Sequence, residues 1–138
     1  MIMDKQAIVL MLKDENGAFI RELGSYTVAG HMELVDQAYA FTAGGRVFAR
    51  LALSTGREVE DWEYDAIFDY YDAEIFAGLA EIDEVEGAHN PTWALSLPFD
   101  EDAAAMEEAI NQIIGFHNAE LNSVFEAIAD KKDEYQFD

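Results

Sequence analysis

The hydrophobic pattern of this chain changes period partway along it. Gln6–Lys13 is apolar at nearly every position, which predicts a strand buried on both faces or a short strand at a sheet centre. Asp14-Glu15-Asn16-Gly17 follows, with Asn-Gly as a hairpin signal. Ala18–Leu23 and Tyr26–Val28 read as one strand interrupted at Gly24-Ser25, where a bulge fits. Ala29-Gly30-His31 marks another turn. Met32–Ala43 suits two periods: Val35, Tyr39 and Phe41 alternate as in a strand, while Met32, Val35, Asp36 and Tyr39 also fit a helix. We favour the strand, because Thr42-Ala43-Gly44-Gly45 then makes a hairpin into Arg46–Ser54. That segment sets Val47, Ala49, Leu51 and Leu53 on one face. The expectation for this part is a four-stranded antiparallel meander.

The period then lengthens. Thr55 and Glu58 have capping-box spacing. A helix is expected from about Glu58 to Ala77, ended by Gly78. Tyr64, Ile67, Phe68, Tyr71 and Ile75 form its core face, and Trp62, Ala66, Tyr70 and Ala73 lie on a second apolar side. Ala80–Glu86 reads as a short acidic strand and Thr92–Leu97 as another, with Trp93, Leu95 and Leu97 facing one way. A long helix follows, with Asp100 as N-cap. Its stripe of Ala103, Met106, Ile110, Ile113, His117, Leu121, Val124 and Ile128 repeats every three or four residues. Gly115 inside it suggests a kink or a close backbone crossing. Lys131 and Lys132 would close its last turn, and 131–138 would fray as a tail.

The element order is therefore β-β-β-β-α-β-β-α. It predicts a single α+β domain over 1–138, an antiparallel sheet of about six strands with two helices packed on one face. In element order and acidity the run β-β-β-α-β-β-α resembles class I type III secretion chaperones, although a strand stands here where that family begins with a helix.

Charge sharpens this picture. The chain has 138 residues, 29 acidic and 8 basic, for a net charge of −21. Residues 1–57 hold six acids and six bases, so all of the excess lies in 58–138, and no Lys or Arg occurs from Glu58 to Asp130. Direct nucleic-acid binding and adhesion to an anionic membrane both need cations, so neither is expected. No cysteine is present, which removes disulfides, thiolate nucleophiles and Cys-based metal sites. No apolar run approaches the ~20 residues of a membrane span, and Met1–Leu12 lacks the pattern of a secretory leader. The cytoplasm is the expected compartment.

The densest chemical feature is the acidic helix. Asp61, Asp65, Asp69 and Asp72 would share one stripe, and like charges four apart cost ~0.2–0.5 kcal/mol per pair. Four readings stand. The stripe meets a basic partner, or holds Ca²⁺ or Mg²⁺ between its carboxylates. Otherwise Arg46, Arg50 or Arg57 folds back onto it, or it is simply solvated. Trp62 and Tyr70 set aromatic surface beside these acids, suited to a cationic partner, with core burial the alternative for Trp62. His117 interrupts an apolar stripe and reads as a hydrogen-bonded core histidine or, less simply, a pocket base. His89-Asn90-Pro91 reads as a turn.

No phosphate loop, nucleophile elbow, zinc-protease motif or calcium loop is present in the sequence. Two functions remain as expectations. One is a non-enzymatic protein-interaction module, binding a basic partner or forming a homodimer, without a cofactor. The other is a small ligand-binding domain or enzyme with a carboxylate and His117 or His89 in a pocket, dependent on Ca²⁺ or Mg²⁺ in one version.

Overall fold

A computed structural model describes residues 6–135 of the chain. Six strands form one sheet: β1 (Gln6–Lys13), β2 (Phe19–Val28), β3 (Val35–Ala43), β4 (Arg46–Leu53), β5 (Glu81–Glu84) and β6 (Trp93–Pro98). The helices are α1 (Asp61–Tyr70), α2 (Ala103–Ile128) and the short α3 (Lys132–Tyr135). Single 3₁₀ turns lie at Met32–Leu34 and Ala73–Phe76. The fold is α+β, with both main helices against one face of the sheet.

The strand order is β2-β1-β3-β4-β6-β5. Every pairing is antiparallel except β1 with β3, which is parallel. The sheet is therefore mixed, and its first four strands do not form the predicted meander. Chain 29–34 steps past the end of β1 instead of turning back beside β2. His31 takes a left-handed conformation there (φ 65). The step spans two inter-strand spacings, ~9.6 Å, well within reach of six residues. It gives β1 a partner on each side and puts β2, with exposed Arg21 and Glu22, at the edge.

Two hairpins hold the register. Gly44 and Gly45 both have positive φ (59 and 77), the requirement of a two-residue primed turn, and Ala43 pairs with Arg46 across it. At the other hairpin the Asp14 carboxylate accepts from the Asn16 and Ala18 N–H groups at 2.9 and 3.0 Å. β2 runs unbroken through Gly24. Its pairing slips there, with Leu10 opposite Gly24 and Met11 opposite Glu22, so the expected interruption is a bulge within one strand.

The core contains Ile8, Leu10, Ala49, Leu51, Leu53, Trp93, Leu95 and Leu97 from one face of the sheet. From α2 it takes Met106, Ile110, Ile113, Ile114, Leu121, Val124 and Ile128. The predicted α2 stripe is thus the buried one, except that Ala103 is exposed. Each fully buried Leu or Ile contributes roughly 1.5–3 kcal/mol. β1 is buried on one face only, with Ala7 and Val9 exposed on the other. In β3 the inward residues are Ala38 and Ala40, opposite Leu51 and Ala49, so Tyr39 and Phe41 point away from the core. A register shift between Val35 and Gln37 returns Val35 to the core side.

The helix boundaries differ from the sequence reading for local reasons. Thr55 donates to the Arg57 carbonyl at 2.6 Å and makes a turn rather than a cap. α1 begins after Glu60, whose N–H donates to the Glu63 carboxylate at 2.9 Å. Burial pushes the Glu63 carboxyl up, but that N–H and the Arg57 guanidinium outweigh it and hold the group below its ordinary range. α1 stops at Tyr70 because Tyr71 is extended (φ −75, ψ 125), which turns its ring onto Trp93. The N-cap of α2 is Asp102, accepting from Ala104 and Ala105, two residues after the predicted Asp100. α2 runs unbroken through Gly115, where nothing lies within 4 Å of the place a Cβ would occupy, so no backbone crosses there. Lys131 lies beyond α2, and Lys132–Tyr135 is helical and packed rather than frayed. The remainder of the predicted tail, 136–138, lies outside the described residues, as do 1–5.

The position of the α2 cap has a direct consequence. Asp102→Ala is expected to destabilise the protein by about 1 kcal/mol, the usual worth of an N-cap, and Asp100→Ala by less. Urea unfolding midpoints of the two variants measure the difference.

Candidate functional site

Three places carry the side chains that sequence singled out or that the fold brings together. The first is the outer surface of α1. Asp61 and Asp65 are exposed there. Asp69 accepts from the Tyr135 hydroxyl at 2.8 Å, and that bond, with burial, pushes the tyrosine up to about 12. Asp72 lies beyond the helix, where its carboxylate accepts from the Glu74 N–H at 3.0 Å. The four aspartates therefore do not form one row. Trp62 is buried, with its indole N–H donating to Glu60 at 3.0 Å and the Tyr135 ring 6.5 Å away. On the second apolar side of α1, Tyr135 of α3 lies against Trp62, and Ala66 is part of the core. Tyr70 remains 41% exposed.

Arg57 does fold back, but onto Glu63 at 3.1 Å and not onto the aspartates. It also donates to the Glu58 carbonyl and stacks over Phe125 at 4.1 Å. Arg46 and Arg50 make no ion pair with α1 among the described residues. Nor, among those residues, does any group of three or more carboxylates or imidazoles come together to hold a metal ion.

The second place is the interior around His117. This residue is fully buried, with Trp93 edge-on at 5.3 Å. Its Nε2–H donates to the Ser54 carbonyl at 2.8 Å, and its Nδ1 accepts from the Tyr71 hydroxyl at 2.7 Å. That pairing requires the neutral ring. Burial lowers its pKa to about 4, against a weaker opposing pull from the Ser54 carbonyl. Burial and the nearby Glu120 push Tyr71 up. His117 ties α2 to the end of β4 and to the chain after α1, and both ring nitrogens are committed. It is absent from the lining of four surface cavities among the described residues. His89 is on the surface, 2.6 Å from Glu58. Glu58 borders a polar cleft of about 380 Å³ that also includes Glu33, Asp36 and Asn90. The Arg57 at that cleft is already occupied by the partners above.

The third place was not singled out in sequence. It is the sheet face opposite the helices. Phe41 and Phe48 stack there at 5.6 Å, and Tyr39 lies 6.5 Å from Phe41. The Lys13 ammonium sits 3.9 Å from the Tyr39 ring. Val9 is 42% exposed, and Phe19 and Ile20 at the adjoining hairpin are 58% and 59% exposed. None of these residues belongs to the core cluster or packs against it. The cue in the sequence is that β1 and β3 are apolar in both parities, which signals two apolar faces rather than one.

Two measurements follow from the His117 arrangement. Tyr71→Phe leaves the buried Nδ1 without a donor and is expected to cost about 1–3 kcal/mol in chemical unfolding. The imidazole is protonated more readily unfolded than folded, so stability is full above pH 6.5 and falls as the pH drops toward about 4. This one group accounts for a loss of roughly 3 kcal/mol across that window. Unfolding curves at several pH values should show a shallower fall for His117→Gln than for wild type.

Residues 3–136 match the family of unknown function DUF6762, and the chain belongs to that family. No curated protein and no solved structure matches it.

Proposed function

We propose that this DUF6762 protein is a non-enzymatic protein-interaction module whose docking surface is the open face of its sheet. One observation carries the reading. Helices cover one sheet face, while the other presents Val9, Tyr39, Phe41 and Phe48 outside the core cluster. Apolar surface left uncovered on a folded domain is the usual mark of a protein contact. The partner is a protein rather than nucleic acid or an anionic membrane, because a chain of net charge −21 lacks the cations those ligands require. No helix of the described residues is long and apolar enough to cross a membrane. The cytoplasm is the proposed compartment.

A second surface supports the basic-partner version of this reading. Asp61 and Asp65 are exposed on α1 without an ion pair among the described residues. A cationic segment would gain there by Coulomb attraction, weakly and with strong salt dependence. The ligand-pocket alternative has less to support it, since both nitrogens of His117 are already bonded.

A photoreactive phenylalanine analogue at position 41, at 65 and at the exposed position 115 separates these readings in cells that express the protein natively. Position 41 is expected to give protein adducts and position 115 none. Adducts from 65 alone would move the contact to the acidic helix. Adducts from neither 41 nor 65 would overturn the interaction reading.

A further inference from the structure

We propose that the protein seated on the open sheet face is a second copy of this chain, in a two-fold, face-to-face dimer. The inference rests on reading that face as a docking surface and names its occupant.

The sheet edges are closed to another copy. At the β2 edge, α2 supplies the missing partners: Glu107 accepts from the Thr27 N–H, while Asn111 accepts from Ala29 and donates to Thr27. The bulge at Gly24 interrupts the rest of that edge. The β5 edge is four residues long and carries Glu81, Asp83 and Glu84, so two such edges repel. The three helices carry ten acids against one base, Lys132, so the helical layer repels its own copy as well.

The open face has the opposite character. Lys13, Arg46 and Arg50 lie on it, balanced by Glu22 on β2 and by Glu81 and Asp83 at the far side. Two copies meeting there keep their acidic helical layers outward and apart. The area is sufficient. Six strands at ~4.8 Å and about seven residues at ~3.3 Å give on the order of 650 Å² per copy. The pair would bury on the order of 1,300 Å², within the ~1,200–2,000 Å² of stable interfaces.

Aligned sheet packing at ~10 Å separation accommodates such a contact, and a two-fold pairing makes the interface isologous.

Sedimentation equilibrium on the purified full chain tests the proposal, with circular dichroism confirming that each variant is folded. Wild type is expected to be a dimer at micromolar concentration, and Phe41→Asp a folded monomer. A wild type that stays monomeric at 100 µM, on the order of ten to a hundred times that range, overturns the dimer. In that event position-41 adducts to a different protein would leave the interaction reading standing. A dimer that survives Phe41→Asp overturns this face as its interface.

Discussion

The apolar stripe of α2 lies across one face of the sheet, and most of the structure depends on that burial. Glu107 and Asn111, near its start, reach edge strand β2. His117, midway, reaches the end of β4, and Phe125 lies under Arg57 beyond it. The helix therefore crosses the strands instead of following one. At ~1.5 Å per residue its 26 residues span about 39 Å, against ~29 Å for six strands. One helix is thus long enough to cross all six strands, and α1 adds Trp62, Ala66 and Ile67 to the same core. The polar residue in its stripe must then be satisfied inside, and Ser54 and Tyr71 do so. Among the described residues no buried side-chain nitrogen or oxygen lacks a partner.

That closure uses nearly all the helix the chain has. α1 packs beside α2, and α3 covers Trp62, so among the described residues no helix is left for the opposite face. The open face is a result of this economy. Its partial burial comes from its own side chains, with aromatic rings stacked in a row and Lys13 lying over one of them. Charge follows the same division. The neutral first part of the chain supplies the four strands that make up most of the open face, and the acidic remainder supplies the helices. A surface able to approach a partner closely is thereby kept apart from one that repels most of what is anionic.

Much of the architecture was legible from periodicity. The strands, the two long helices and the inward residues of α2 follow from period two and period three-to-four repeats, because those periods fix which side chains share a face. Errors arose where a pattern suits two answers. Tyr39 and Phe41 alternate correctly for a strand, but alternation does not say which parity faces the core, and the small Ala38 and Ala40 do so. The acidic row failed at Asp72, since α1 ends when Tyr71 leaves helical geometry to reach Trp93, a contact made across the fold. His117 as a satisfied core residue was expected from its place in the stripe, whereas its partners Ser54 and Tyr71 were not readable from spacing.

By itself, then, the sequence determined the six strands and two main helices, the α+β class, the two hairpin turns and the separation of neutral from acidic chain. These depend on local backbone preference and on side chains close in sequence. Only the tertiary structure decided the strand order, the parallel pairing of β1 with β3 and the capping of the β2 edge by α2. It also decided that α3, not a partner, covers Trp62. Each of these depends on which distant segments compete for the same apolar surface and backbone groups. Local pattern carries no record of that competition, so neighbours in space are set only when the whole core closes.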